Sequence, residues 1–360
     1  MNRVRALDGL RGIAVLMVLA YHYTAGYQHV VHAHAPGLLF RFKAGQFGVN
    51  LFFMVSGYVI LMTTERARSV RDFVIARFIR LYPPFVFAVL FTGTILCMSG
   101  FNPQHLTPVS MLTNLVMATY LLGMKQIDSV YWTLSYELLF YALMAIGVLA
   151  LRVRRVELIA LAWLLLSYGT KFLLHVPPPA TPHPAFTLSI VTGSEVAYLF
   201  VAGMMIRRLH SGHRGILTWA VLCFSAVPVL VPLLQAMSWS RADSSQKLVY
   251  GGMMLSFAAL VYHAPLHRWA ALCAGPLPFL GDISYSLYLV HQMAGYWVID
   301  WLESRHVDPN LAVLTAAMLA IILATLMRNT VELHAQRILR RMAFHPSPAH
   351  PLPGTMSLAP

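Results

Sequence analysis

Apolar runs, separated by short polar or basic connections, set the rhythm of this chain. They fall at approximately residues 10–27, 46–63, 82–99, 131–151, 156–175, 186–206, 215–236, 248–264, 281–302 and 310–328. Each lies near the ~20 residues an α-helix needs to cross a bilayer, several at the short end. The pattern predicts an all-α integral membrane protein of about ten transmembrane helices. The basic residues orient it. Most of the 26 Lys and Arg cluster in ERARSVRDFVIARFIR (65–80), RVRR (152–155), RRLHSGHR (207–214) and the tail from Arg328 to Arg341. These connections share one side if the N- and C-termini are cytoplasmic, which is the positive-inside pattern.

Between spans, the longest outer connections are 28–45 and 100–130. Within the second, VSMLTNLVMATYLLG (109–123) is apolar behind a hydrophilic lead-in. It reads either as an interfacial helix or as a re-entrant piece. PPPATPHP (177–184) is expected to be a stiff outer loop and the tail after Phe344 to be disordered, giving a membrane domain over 1–344 and a tail over 345–360. No internal repeat and no appended soluble domain is evident.

Composition agrees with the pattern. Hydrophobic residues make up 58% of the chain and charged residues 11%, against about 25% charged in soluble domains. The net charge of +13 lies in clusters between apolar runs, so it reads as topology and not as a nucleic-acid surface. Cys97, Cys223 and Cys273 are odd in number and lie in or beside apolar segments, so no disulfide framework follows. HVVHAHA (29–35) has loose metal-ligand spacing but no acidic or cysteine partner nearby, and no metal site is expected. Arg3 and Arg5 before an apolar run resemble a signal peptide; without a convincing cleavage site the first helix is read as retained.

Ionisable groups inside spans are costly and mark candidate sites. In LDGLRGIAVLMVLAYHY (7–23), Arg11 and His22 stand eleven residues apart, three helical turns plus ~20°, so both share one face about 16 Å apart along the axis. Arg11 then sits at one membrane surface and His22 near the midplane, with Asp8 placed to cap the helix or pair with Arg11. Helical rise puts Glu137 about 8 Å below the outer surface, Glu195 ~13 Å deep and His291 ~15 Å from the inner end. His22, Glu137, Glu195 and His291 are therefore compatible with one polar cavity. Ser284, Tyr288 and His291 recur at i, i+4, i+7; Asn50, Ser56 and Gly57 lie in span two, where close helix packing explains the last two equally well. Arg77 and Arg80, at i, i+3, present guanidinium groups suited to phosphate beside Arg11. The combination suggests a phosphate-bearing ligand with a reactive end reaching His22, the shape of a coenzyme A thioester.

Several of these stretches occur together in one family. LDGLRGIAVLMVLAYHY, GVNLFFMVSGYVI, RFIRLYPP, YWTLSYELLFY and GDISYSLYLVH resemble, in order, blocks of the bacterial membrane acyltransferase 3 family. FVAGMMI (200–206) and VELHAQRILRR (331–341) are weaker matches, and Glu332-Leu333-His334 departs from the family's acidic-Arg-Pro ending. The resemblance implies a multi-pass protein of the bacterial inner membrane that moves an acyl group, acetyl by family habit, from cytoplasmic acyl-CoA to a hydroxyl of a carbohydrate or lipid-linked glycan. By motif position it implies that Arg11 and His22 are the essential pair and Arg77 and Arg80 the donor-side arginines. Glu137 matches the family's acidic position and His291 its ninth-span histidine.

On this reading His22 is the general base and Glu137 orients it, while Arg11, Arg77 and Arg80 hold the donor. An acyl-histidine intermediate is the alternative course. His291, Tyr288, Ser284, Asn50 and Glu195 are expected to line the substrate site. No metal is involved, and the partners are acyl-CoA, the glycan acceptor and membrane lipid. A ten-helix transporter of a small anionic or sugar solute is the competing reading, although it predicts inverted repeats and broken helices that the sequence does not display.

Overall fold

The computed structural model describes residues 5–27, 31, 37–101, 107–153, 155–174, 184–238 and 275–344. Among them every regular element is helical. They are α1 (Arg5–Tyr21), α2 (Gly48–Thr64), α3 (Val70–Ser99), α4 (Pro108–Thr113), α5 (Trp132–Met144), α6 (Val156–Leu174), α7 (Pro184–Thr192), α8 (Ala197–His210), α9 (Ile216–Ser238), α10 (Pro276–Glu303), α11 (Pro309–Met327) and α12 (Leu333–Phe344). Six helical stretches of the described residues are long and apolar enough to cross a membrane: 43–64, 70–99, 129–150, 156–173, 187–210 and 309–344. The expected span at 248–264, the histidine cluster of 29–35 apart from Val31, and the tail 345–360 lie outside the described residues.

Lipid offers helices no hydrophobic incentive to associate, so close backbone approach and small residues decide which pairs form. Two tight crossings organise the bundle, α1 with α10 and α2 with α8. At the first, a Cβ on Gly12 would collide with the Leu277 carbonyl and one on Gly281 with the Asp8 carbonyl. At the second, Gly57 lies against the Phe200 backbone and Gly203 against that of Met54. The first crossing brings the His22 end of α1 alongside His291. Helix α1 begins at Arg5, so Asp8 lies buried inside its first turn and not at the cap.

Two expectations change. Helix α3 starts at Val70, twelve residues before the expected span, and continues through Pro83 and Pro84. Arg77 and Arg80 therefore ride on the spanning helix itself. The expected span 186–206 is two helices, broken where Gly193 takes φ +66°. Ser167 Oγ and Trp163 Nε1 donate to the carbonyls of Gly193 and Thr192 at the break, at 3.3 and 2.9 Å, so side chains of α6 satisfy it. The stretch 109–123, read as interfacial or re-entrant, holds only the short helix α4 and a turn. After α4 the chain doubles back, Asn114 donating to the Lys125 carbonyl at 2.9 Å and accepting from the Ile127 amide at 2.8 Å. Tyr82 donates to its Leu115 carbonyl at 3.1 Å, which ties the turn into the bundle.

At the basic end, several charges are paired within the protein. Arg207 meets Glu65 at 2.7 Å and Arg208 meets Glu157 at 2.8 Å. Glu332, the acidic residue of the divergent tail motif, is buried and accepts a 2.9 Å hydrogen bond from Ser286 of α10. It anchors the turn that leads into α12.

Candidate functional site

His22 opens a π-helical turn, His22–Gly26, at the end of α1. Such single-turn bulges re-aim side chains and recur at functional sites. Its ring faces that of His291, with His22 Nδ1 3.0 Å from His291 Nε2. The neighbours assign the protons. His291 Nδ1 meets only carbonyl oxygens, those of Tyr288 at 2.9 Å and Leu287 at 3.2 Å, so in the neutral ring it is the donor and Nε2 keeps its lone pair. His22 Nδ1 meets two acceptors, His291 Nε2 and the Val18 carbonyl at 3.0 Å. It therefore carries the proton, which leaves the lone pair of His22 on Nε2. His22 lines a cavity of about 380 Å³ with Tyr21, Gln46, Asn50, Ser129, Trp132 and Tyr288. His291 is 1% exposed and lines neither this cavity nor the next; it backs His22 instead of facing a substrate.

A second cavity, of about 70 Å³, is lined by Arg11, Ser56, Arg80, Glu137, Ser284 and Tyr288 among others. Glu137 accepts hydrogen bonds from Tyr141 and, at 3.5 Å, from Ser56. Its carboxylate is within electrostatic reach of Arg11 and Arg77. The side chain that meets the His22 ring is thus that of His291, and Glu137 stands among the arginines. Ser284 lines the Arg11 cavity, its hydroxyl donating to the Gly281 carbonyl at 2.7 Å. Tyr288 and Val49 line both cavities and form the wall between them. The Tyr288 hydroxyl donates to the Val130 carbonyl at 2.8 Å and meets Thr133 Oγ1 at 2.9 Å. Arg77 lines a different cavity, an apolar groove, while staying within electrostatic reach of Arg80 and Glu137.

Glu195 is corrected outright. It sits in the turn that breaks α7 from α8, is 57% exposed and pairs with Lys171 at 3.1 Å. The depth argument for it assumed an unbroken helix, and Gly193 ends that helix two residues earlier.

Two residues without a sequence signal hold the dyad in place. Asp128, wholly buried, accepts from the Val130 amide at 3.2 Å and from the Met293 amide at 3.1 Å. Gln292 accepts from Ser129 Oγ at 2.8 Å and from the Val130 amide at 3.2 Å. Together they staple the turn before α5 to the part of α10 that carries His291. Burial pushes the Asp128 carboxyl up to about 7, with the two amide donors acting in the opposite direction. In sequence this was only an Asp ahead of an apolar run. Among the described residues no group of three His, Cys, Asp or Glu stands where it could hold a metal ion.

A family model described as an acyltransferase domain fits residues 4–328, and the chain belongs to that family. Among curated proteins it is similar to the O-acetyltransferase OatA of Staphylococcus aureus, strains NCTC 8325 and COL, with 24% identity over 94% of this chain. The chain spans 57% of the length of those relatives. No solved structure matches it.

Proposed function

We propose that this protein is a membrane O-acyltransferase that moves an acyl group, acetyl first among the candidates, from acyl-CoA to a hydroxyl of a carbohydrate acceptor. The observation that carries the reading is the direction of the His22–His291 pair. Its partners leave the His22 Nε2 lone pair available on the side of an uncharged cavity, while cationic groups suited to a donor's phosphates lie beyond Tyr288.

His22 Nε2 takes the proton of the acceptor hydroxyl as the oxygen attacks the thioester carbonyl. The C–S bond then breaks, and the imidazolium returns its proton to the departing thiolate. His291 Nε2 accepts from Nδ1–H of His22 throughout, which steadies the charge forming on that ring. His22 is the catalytic residue and His291 a positioning residue. Arg11 and Arg80 hold donor phosphate, with Glu137 fixing the arginines. Asn50, Gln46 and Trp132 offer the acceptor amide groups and a ring face. The acceptor cavity falls within the ~300–1,000 Å³ typical of ligand pockets. The inner one does not, so donor binding must widen it, and the wall at Val49 and Tyr288 is where the two cavities can join.

The multi-pass setting supports the bacterial inner membrane as the location, and a surface polysaccharide, peptidoglycan or lipid-linked sugar as the acceptor. Transport draws support from one observation, the break between α7 and α8. Yet that break is filled by Trp163 and Ser167 and lines neither cavity. The deciding experiment uses purified protein with labelled acetyl-CoA and a panel of glycan acceptors. Ester formation that His22→Ala abolishes supports the enzyme; solute flux in proteoliposomes with no dependence on CoA overturns it.

A further inference from the structure

The side groove on which Arg77 lies has no part in the reaction above. Its cavity is about 480 Å³ and runs between α3, α5 and the turn after α4. Val74, Phe78 and Val116 form its rim and are about half exposed, at 50, 53 and 48%. Ala118, Ala142 and Ala145 make a shallow floor, so the shape is a channel between large apolar walls. From Phe73 to Tyr82 the α3 wall runs ~13 Å along the axis, a length suited to part of a lipid chain.

Arg77 closes one end. Its guanidinium lies over the rings of Phe73 and Tyr141, with centroids 5.6 and 5.8 Å away. Its Nε is buried and has no hydrogen-bond partner. A buried N–H left without an acceptor is costly, and the other partners of this guanidinium, the Tyr141 hydroxyl and the Glu137 carboxylate, leave Nε unmatched. Arg66, Arg68 and Arg71, all exposed, add positive charge around the same end of α3. An apolar channel that ends at a guanidinium with an unpaired Nε–H is complementary to a phosphate on a hydrocarbon chain. Basic pockets between membrane helices bind lipid headgroups in this way.

We propose that the groove holds one anionic phospholipid from the leaflet at the N-terminal end of α3. An acyl chain lies over the alanine floor, and the phosphate accepts from Arg77. This site is separate from the acyl-transfer reading and stands or falls without it.

The test is lipid retention by native mass spectrometry. The protein is released from nanodiscs made of equal phosphatidylglycerol and phosphatidylcholine. The wild type is expected to keep one phosphatidylglycerol in preference to phosphatidylcholine by roughly five- to ten-fold. R77Q should lose the preference and still retain lipid. Ala142 is exposed, so A142W should fill the channel and lose both lipids at an unchanged melting temperature. A118W provides the same test from the opposite wall should A142W fold poorly. Equal retention of the two lipids by the wild type, undiminished retention in both tryptophan variants, or acyl-CoA in place of phospholipid would each overturn the proposal.

Discussion

The two cavities that meet at Tyr288 differ in kind. The one beside His22 is lined by amides, hydroxyls and aromatic rings; the one beside Arg11 is lined by two arginines and a glutamate. Their sizes differ in the opposite sense to the ligands proposed for them, about 380 Å³ for an acceptor group and about 70 Å³ for the end of a long donor. On the proposed reading the donor opens its own path into the charged side, where the arginines and Glu137 offset one another's charge.

This division assigns different kinetic signatures to the two sides. The largest effect is expected from His22→Ala. Loss of a general base lowers kcat by roughly 10²–10⁴-fold, read as ester formed from labelled acetyl-CoA, with donor affinity unchanged. If donor affinity falls instead, the histidine belongs to the charged side and the division is wrong. Arg80→Ala should do the reverse. A hydrogen bond to a charged group contributes ~1.5–3 kcal/mol, so the KM for donor should rise about 10- to 100-fold with kcat at saturation little altered. Removing His291 as an acceptor, by His291→Phe, is expected to cost up to about 100-fold in kcat on the same basis, with both KM values unchanged. Gln46→Ala should move only the KM for acceptor, about five-fold, as befits a neutral hydrogen bond of ~1 kcal/mol.

The last effect is on stability and concerns the clamp that both cavities depend on. Asp128 ionises near 7 in the folded state, above its usual value of 3.8. The folded protein therefore holds this proton more tightly than the unfolded chain does. The associated stability is full below about pH 4 and is lost as pH rises through about 7. Thermal unfolding in detergent should show a lower midpoint at pH 8 than at pH 5. Asp128→Asn should flatten that difference, since the amide does not titrate.

Much of the architecture was legible along the chain. Apolar runs near the right length identified most of the helices. The exceptions have local causes. Gly193 adopts a left-handed backbone that a hydropathy window averages over, so one span was read where two helices exist. The apolar run placed the third span at 82–99, whereas its helix begins at Val70 and passes through Pro83 and Pro84.

The site was legible in part. His22, Arg11 and Arg80 were marked by the cost of placing ionisable groups in apolar segments. That cost identifies a residue as exceptional without saying what it touches. Glu137 was paired with His22 on depth, and depth is one coordinate of three. His291 takes that place because Gly12 and Gly281 let α1 and α10 approach closely. Asp128 and Gln292 carried no signal because neither lies at a conspicuous spacing; their importance comes from backbone amides that only the folded chain brings within reach.

By itself, then, the order of residues determined which segments are helical, where charge gathers and which buried groups are expensive. Those are one-dimensional properties, set by side-chain chemistry and helical rise. Folding decided that Tyr288 and Val49 stand between two cavities, that the His22 ring meets that of His291, and that Arg77 and Arg80 line different cavities. Such outcomes turn on the rotation and separation of packed helices. A single turn separates those two arginines in sequence, and the neighbours on either side of α3 decide what each one meets.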